Sequence, residues 1–143
     1  MQAVILTNKE KMILTPTYHV MKMYNVHQDA TLIPLHISGV DYVFKGEKLP
    51  AISASASKDS TANIHISLVN IDPGKSQKVT LNIDGETFKD VSGRILTSAK
   101  VQDFNSFDNP EKIKPQIYKD FKQAGNKLTI TLPPISVVVL TIK

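Results

Sequence analysis

Hydrolysis by paired carboxylates requires two acidic side chains about 5 to 9 Å apart, one of them with a raised pKa. The chain holds four glutamates, Glu10, Glu47, Glu86 and Glu111. Each stands in a turn or polar connection where solvent keeps a carboxylate ordinary, so no catalytic pair is expected. His19, His27, His36 and His65 lack metal-ligand spacing such as H-E-x-x-H. His19 and His27 are too far apart on one helical stretch to share an ion, which favours packing or surface roles. With no cysteine, disulfides, thiolate chemistry and cysteine-based zinc sites are all excluded. The glycines form no phosphate-binding loop. Neither a metal nor a cofactor is expected. Ser53, Ser55 and Ser57 alternate with small residues in Ile52–Ser57. That pattern reads as a tightly packed strand, because a serine nucleophile needs a base and an orienting group, usually on a sharp turn.

Sugar binding by an aromatic platform is the other chemistry to weigh. Tryptophan is absent. Tyr18 and Tyr24 fall in a helical stretch, and Tyr42, Phe44 and Phe88 in connections. Phe104, Phe107, Tyr118 and Phe121 flank the polar segment "FNSFDNPEKIKP", residues 104–115, where pinning a long loop is favoured over a platform. The net charge of +4 permits an acidic partner. Lysines nevertheless alternate with acidic residues and form no basic block with interleaved aromatics, which argues against nucleic acid. The longest apolar run, residues 137–140, is too short to span a bilayer, so no membrane partner is expected.

These side chains must be positioned by a chain of 143 residues, about one domain in length. From about residue 52 the dominant period is two. Ile64, Ile66 and Leu68 alternate with His65 and Ser67, Val79, Leu81 and Ile83 with Thr80 and Asn82, and Leu128, Ile130 and Leu132 with Thr129 and Thr131. Each run presents one apolar face of a half-buried strand. Asp72-Pro73-Gly74, Asp84-Gly85, Gly125-Asn126 and Pro133-Pro134 supply the reversals. The pattern predicts an all-β fold, an antiparallel β-sandwich over residues 29–143. Residues 136–142 are apolar on both faces, as in a central strand or one whose outer face packs on something else.

Residues 1–28 differ in kind. Val4–Leu6 and Met12–Leu14 are short apolar runs around the polar residues 8–11, and Val20, Met23, Tyr24 and His27 recur at i, i+3, i+4 and i+7, one stripe of a helix. A strand-turn-strand-helix unit of this kind cannot bury its faces alone and reads as the last unit of something larger. The opening residues carry no signal peptide, so any targeting signal would lie upstream. Cytoplasmic and periplasmic or secreted locations both stay open.

The segments "ILTNKEKMILTPTYHVMKMYNVHQDATLIPL", "ISASASKD", "IHISLVNIDP", "GRILTS", "FNSFDNPEKIKP" and "LPPISVVVLTI" occur in this order. Together they resemble the C-terminal region of α-L-arabinofuranosidases of glycoside hydrolase family 51. Residues 15–20 and 105–115 are the most discriminating. The resemblance implies a (β/α)8 barrel carrying both catalytic glutamates, followed by a β-sandwich. Residues 1–28 would then be a short β-α remnant of the last barrel unit, and 29–143 the C-terminal sandwich. No segment matches the motif of either catalytic glutamate, so the chain alone is expected to be inactive. Barrel active sites form at the C-terminal ends of the strands. The resemblance therefore places Thr15, Thr17 and Tyr18 next to substrate in the complete enzyme, against a purely structural role in ending the strand and starting the helix. The implied partners are the catalytic barrel of the same polypeptide, further copies in a homo-oligomer and, through the full enzyme, arabinose-containing oligosaccharides. An autonomous carbohydrate-binding module is the alternative, and a plain interaction module a third reading. In the loop, Asn109 can cap, Pro110 suits a first helical position and Glu111 the positive end of a short helix or turn. The loop is expected to connect sheet to sheet, with Phe104 and Phe107 tucked beneath it.

Overall fold

The period-two runs form strands. The computed structural model describes residues 3–85 and 90–143, so Glu86 and Phe88 lie outside the described residues. A hairpin of β1 (Ile5–Asn8) and β2 (Lys11–Leu14) leads into helix α1 (Pro16–Tyr24) and a 3-10 turn, Asn25–His27. Strand β3 (Thr31–Ile33) follows, then a second hairpin, β4 (Asp41–Phe44) and β5 (Glu47–Pro50). This hairpin turns on Lys45 and Gly46, both with positive φ, as a two-residue hairpin loop requires. Tyr42 and Phe44, expected in connections, are strand residues here. The remaining strands are β6 (Ile52–Lys58), β7 (Ile64–Asn70), β8 (Gln77–Asn82), β9 (Val91–Thr97), β10 (Gln116–Tyr118), β11 (Phe121–Ala124), β12 (Lys127–Leu132) and β13 (Ser136–Ile142).

A six-stranded sheet runs in the order β10-β9-β13-β7-β6-β3, and a three-stranded sheet in the order β11-β12-β8. All their pairs are antiparallel. Leu128, Ile130 and Leu132 of the small sheet meet Ile64, Ile66, Leu68, Ile95, Val138, Leu140 and Ile142 of the large one in a single apolar core. The fold is the antiparallel β-sandwich read from the sequence. Where the chain passes from β10 to β11, and so from one sheet to the other, Tyr118 is the brace. Its ring covers Gly93, where a Cβ would come within 2.9 Å of the Tyr118 carbonyl oxygen. Its hydroxyl donates toward the carbonyls of Asp120 and Thr131.

β13 is central, between β7 and β9. Its inward residues Val138, Leu140 and Ile142 join the inter-sheet core. Its outward residues Val137 and Val139 join Leu96, Ile113 and the stripe Val20, Met23 and Tyr24 of α1. The helix thus covers the outer face of the large sheet, which explains why β13 is apolar on both sides. It also corrects the one-faced reading of β7. His65 and Ser67 pair with Thr141 and Val139 on that outer face, and the layer above buries them to 6% and 0% exposure.

Asn70, at the end of β7, organises one end of the sandwich. Its amide nitrogen lies 2.9 to 3.3 Å from the carbonyls of Lys75, Leu132 and Pro133, and its Oδ1 accepts from the Asp72 N–H. The Asp72 carboxylate in turn accepts from the Gly74 and Lys75 N–H groups. This clasp joins the Asp72-Pro73-Gly74 turn to the Pro133-Pro134 turn. There Ile135 is held at φ 48, an uncommon conformation for a β-branched residue, with its N–H donating to the Asp72 carbonyl.

Candidate functional site

Thr15, Thr17 and Tyr18 share the turn where β2 becomes α1. Thr15 is extended and caps the helix, with Pro16 in the first turn, where its missing N–H costs nothing. Its Oγ1 accepts from the Tyr18 N–H and lies 2.9 Å from the carbonyls of Ala3 and Val4, one of which takes its proton. The polar atoms of Thr15 are thereby spent on holding the turn. Thr17 is exposed, and Tyr18 is half-buried, edge-on to His19.

The 104–115 loop closes over this turn. Asn105, 3% exposed, sends its amide to the carbonyls of Leu14 (2.9 Å) and Ile113 (2.8 Å), and its Oδ1 accepts from the Ile113 N–H (2.7 Å). Ile113 inserts beside Met23 beneath the helix. Several expectations for the loop change. It joins β9 to β10, neighbours in one sheet, and does not connect sheet to sheet. Phe104 is 66% exposed and Phe107 half-buried, because Asn105 and Ile113 do the anchoring. Residues 109–111 form turns and bends without a helix, and it is the Ser106 hydroxyl that accepts from the Asn109 N–H.

The electrostatics run against acid catalysis. Glu10, Glu47 and Glu111 are exposed on three separate turns or strand ends. Glu111 is held below its usual range by the hydrogen bond from Lys114 (2.8 Å). Asp103 is lowered by Lys112 (2.7 Å) and by Ser98. Asp59 lies well below the carboxylate range, first through its bond to His65 and then through Thr61. A general acid needs the opposite shift.

A polar cluster that sequence reasoning did not assemble lies on the outer face of the large sheet. The His27 ring bridges the hydroxyls of Ser57 (2.7 Å) and Ser67 (2.6 Å), and the Tyr24 hydroxyl also bonds Ser67. His65 spans Asp59 (2.9 Å) and Thr141 (3.1 Å). Burial, then the neighbouring His65, pushes the His27 pKa down. Asp59, His65 and Thr141 stand in acid-imidazole-hydroxyl order, with His65 buried and Thr141 half-buried along a groove beside α1, but Thr141 lies within a regular strand and not on the sharp turn that exposes a hydrolase nucleophile. The signal available in the sequence was the doubly apolar β13, which implies a covered outer face and therefore covered partners on β7. Among the described residues, no three His, Cys, Asp or Glu side chains are grouped to hold a metal.

The family described as "Alpha-L-arabinofuranosidase C-terminal domain" matches residues 1–136. An intracellular exo-α-L-arabinofuranosidase of Bacteroides ovatus is 40% identical over the whole chain, which spans 28% of that protein. α-L-Arabinofuranosidase 1 of Arabidopsis thaliana is 29% identical over 92% of the chain, which spans 19% of it. The crystal structure of the GH51 arabinofuranosidase from Xanthomonas axonopodis pv. citri superposes on the entire chain with a TM-score of 0.97 and 34% identity, over 29% of its own length. Together with the sandwich, the capped Thr15 turn and the Asn105 loop, these likenesses place the sequence: the chain belongs to the α-L-arabinofuranosidase C-terminal domain family.

Proposed function

We propose that this chain is the non-catalytic C-terminal domain of an α-L-arabinofuranosidase. In this reading it braces the catalytic barrel while the barrel releases terminal arabinofuranosyl residues from plant polysaccharides such as arabinan and hemicellulose. The observation that carries the reading is the state of the carboxylates. Every described one with a resolved shift is lowered, and the described glutamates are exposed on separate turns or strand ends, whereas retaining hydrolysis needs a nucleophile and an acid about 5 Å apart. The packing of α1 onto the large sheet supports a bracing role, because it ties residues 1–28, read as the last barrel unit, rigidly to the sandwich. Thr15 then fixes a turn from which Thr17 and Tyr18 face the substrate side of the barrel.

The purified chain should release no nitrophenol from an aryl α-L-arabinofuranoside. Turnover that disappears in Glu111→Gln would overturn the reading. In the full-length enzyme, replacing Thr17 by Ala or Tyr18 by Phe should lower kcat/KM about three- to tenfold, the worth of one hydrogen bond. Unchanged kinetics would remove both from the substrate face. The carbohydrate-binding alternative gains nothing from the described aromatics, since Phe104, the most exposed among them, makes no ring contact with another described residue.

A further inference from the structure

Beside α1, the outer face of the large sheet is left open as a groove of about 680 Å³, within the usual range of binding clefts, about 300 to 1,000 Å³. Its floor includes one cross-strand row, Val139 of β13, Arg94 of β9 and Ile117 of β10. Its wall is the face of α1 carrying His19, Lys22 and Met23, and Lys119, just after β10, also lines it. The lining is uniform in charge. Lys22, Arg94 and Lys119 make no ion pair among the described residues, and no aspartate or glutamate lines the groove. Glu111, which faces His19 from the loop, is engaged by Lys114. Next to Arg94 in the cross-strand row, Ile117 is 74% exposed, and β10, which carries it, is an edge strand of the sheet.

We propose that this groove docks an acidic protein segment from outside the chain, one in which an aliphatic side chain flanked by carboxylates lies over Ile117 and its carboxylates meet Lys22, Arg94 and Lys119. Unpaired cations that share one groove with an exposed aliphatic side chain are complementary to such a segment, with the charges setting register and the aliphatic contact holding it. A second copy of this chain is the poorer occupant, since its net charge is +4. An acidic saccharide also fits less well. Its hydroxyl groups call for several side-chain acceptors, and the groove offers few, chiefly the Ser92 and Thr141 hydroxyls, with no Asp, Glu, Asn or Gln in its lining.

The probe is a fluorescein-labelled peptide of alternating Glu and Leu, titrated against the intact chain by fluorescence anisotropy at low salt. A scrambled peptide in which Lys replaces Glu, and a trigalacturonate, are run in parallel. Saturable binding of the acidic peptide alone is expected. It should weaken about tenfold in Arg94→Glu/Lys119→Glu and on raising the salt to 0.5 M, as screened rim charges require. Ile117→Ser should weaken it independently of salt, and Lys127→Glu, on the other sheet, should leave it unchanged. Circular dichroism of each variant confirms folding, and the milder Arg94→Gln replaces any that unfolds. Absent binding, equal binding by the doubly reversed variant, or preference for the trigalacturonate would each overturn the proposal.

Discussion

Replacing Asn105 by Ala tests whether one buried amide holds the 104–115 loop. The substitution removes two donor contacts, to Leu14 and Ile113, and one acceptor, for the Ile113 N–H. A net hydrogen bond contributes about 0.5 to 1.5 kcal/mol, and each buried group left unpaired costs about 1 to 3 kcal/mol. Water can reach some of the orphaned groups once the loop loosens, so the expected loss is about 3 kcal/mol. Urea unfolding followed by far-ultraviolet circular dichroism gives this value directly, and hydrogen exchange at the Ile113 amide locates it. The variant Asn105→Asp sharpens the test. Its Oδ1 still accepts from Ile113, but its second oxygen faces two carbonyls, which disfavours the ionised form and raises the folded-state pKa above the ordinary value of about 3.9. Its deficit should therefore be large at pH 7 and shrink as the pH falls toward 4, where the protonated acid again donates. A loss below about 1 kcal/mol in Asn105→Ala, with the Ile113 amide still protected, would refute the argument by showing that the loop is held elsewhere.

Other outcomes follow from the packing. Tyr118→Phe should cost about 1 kcal/mol through the lost hydroxyl bond. Burial, then the Asp120 charge, pushes the Tyr118 pKa up to about 12. The unfolded state thus ionises first, and wild-type stability should fall as pH rises above 10 while the Phe variant lacks that part of the decline. Because His27 has a depressed pKa in the fold, the unfolded chain takes up the proton first. Stability should be full above about pH 7 and drop as pH falls through 6.5. Thermal melts of His27→Gln should show a shallower decline than wild type, and an identical slope would contradict the assignment. Ile113→Ala, in a buried site, should cost about 2 to 5 kcal/mol. Phe104→Ser, at an exposed one, should stay within about 0.5 kcal/mol, a contrast readable from denaturant midpoints alone.

The strands with a clear period of two, β7, β8 and β12, and the amphipathic stripe of α1 were legible in the sequence because each is a local period, whereas the short β4, with Tyr42 and Phe44, was read as a connection. Leu128, Ile130 and Leu132 face inward whatever their partners, and Thr15-Pro16 starts a helix wherever it is packed. Tertiary structure alone decided what covers the outer face of the large sheet. The apolar Val137 and Val139 signalled a cover, but only the packing of α1 shows that it comes from within the chain, burying His65 and Ser67, which a period of two assigns to solvent. The anchoring of the loop by Asn105 and Ile113, with Phe104 left outside, has the same origin. Hydrophobicity ranks Phe104 first, but an amide with three backbone partners more than ninety residues apart in sequence at its widest reach settles which side of the loop turns inward. A long-range hydrogen bond leaves no periodic trace, so it appears only when Leu14 and Asn105 are brought together in space.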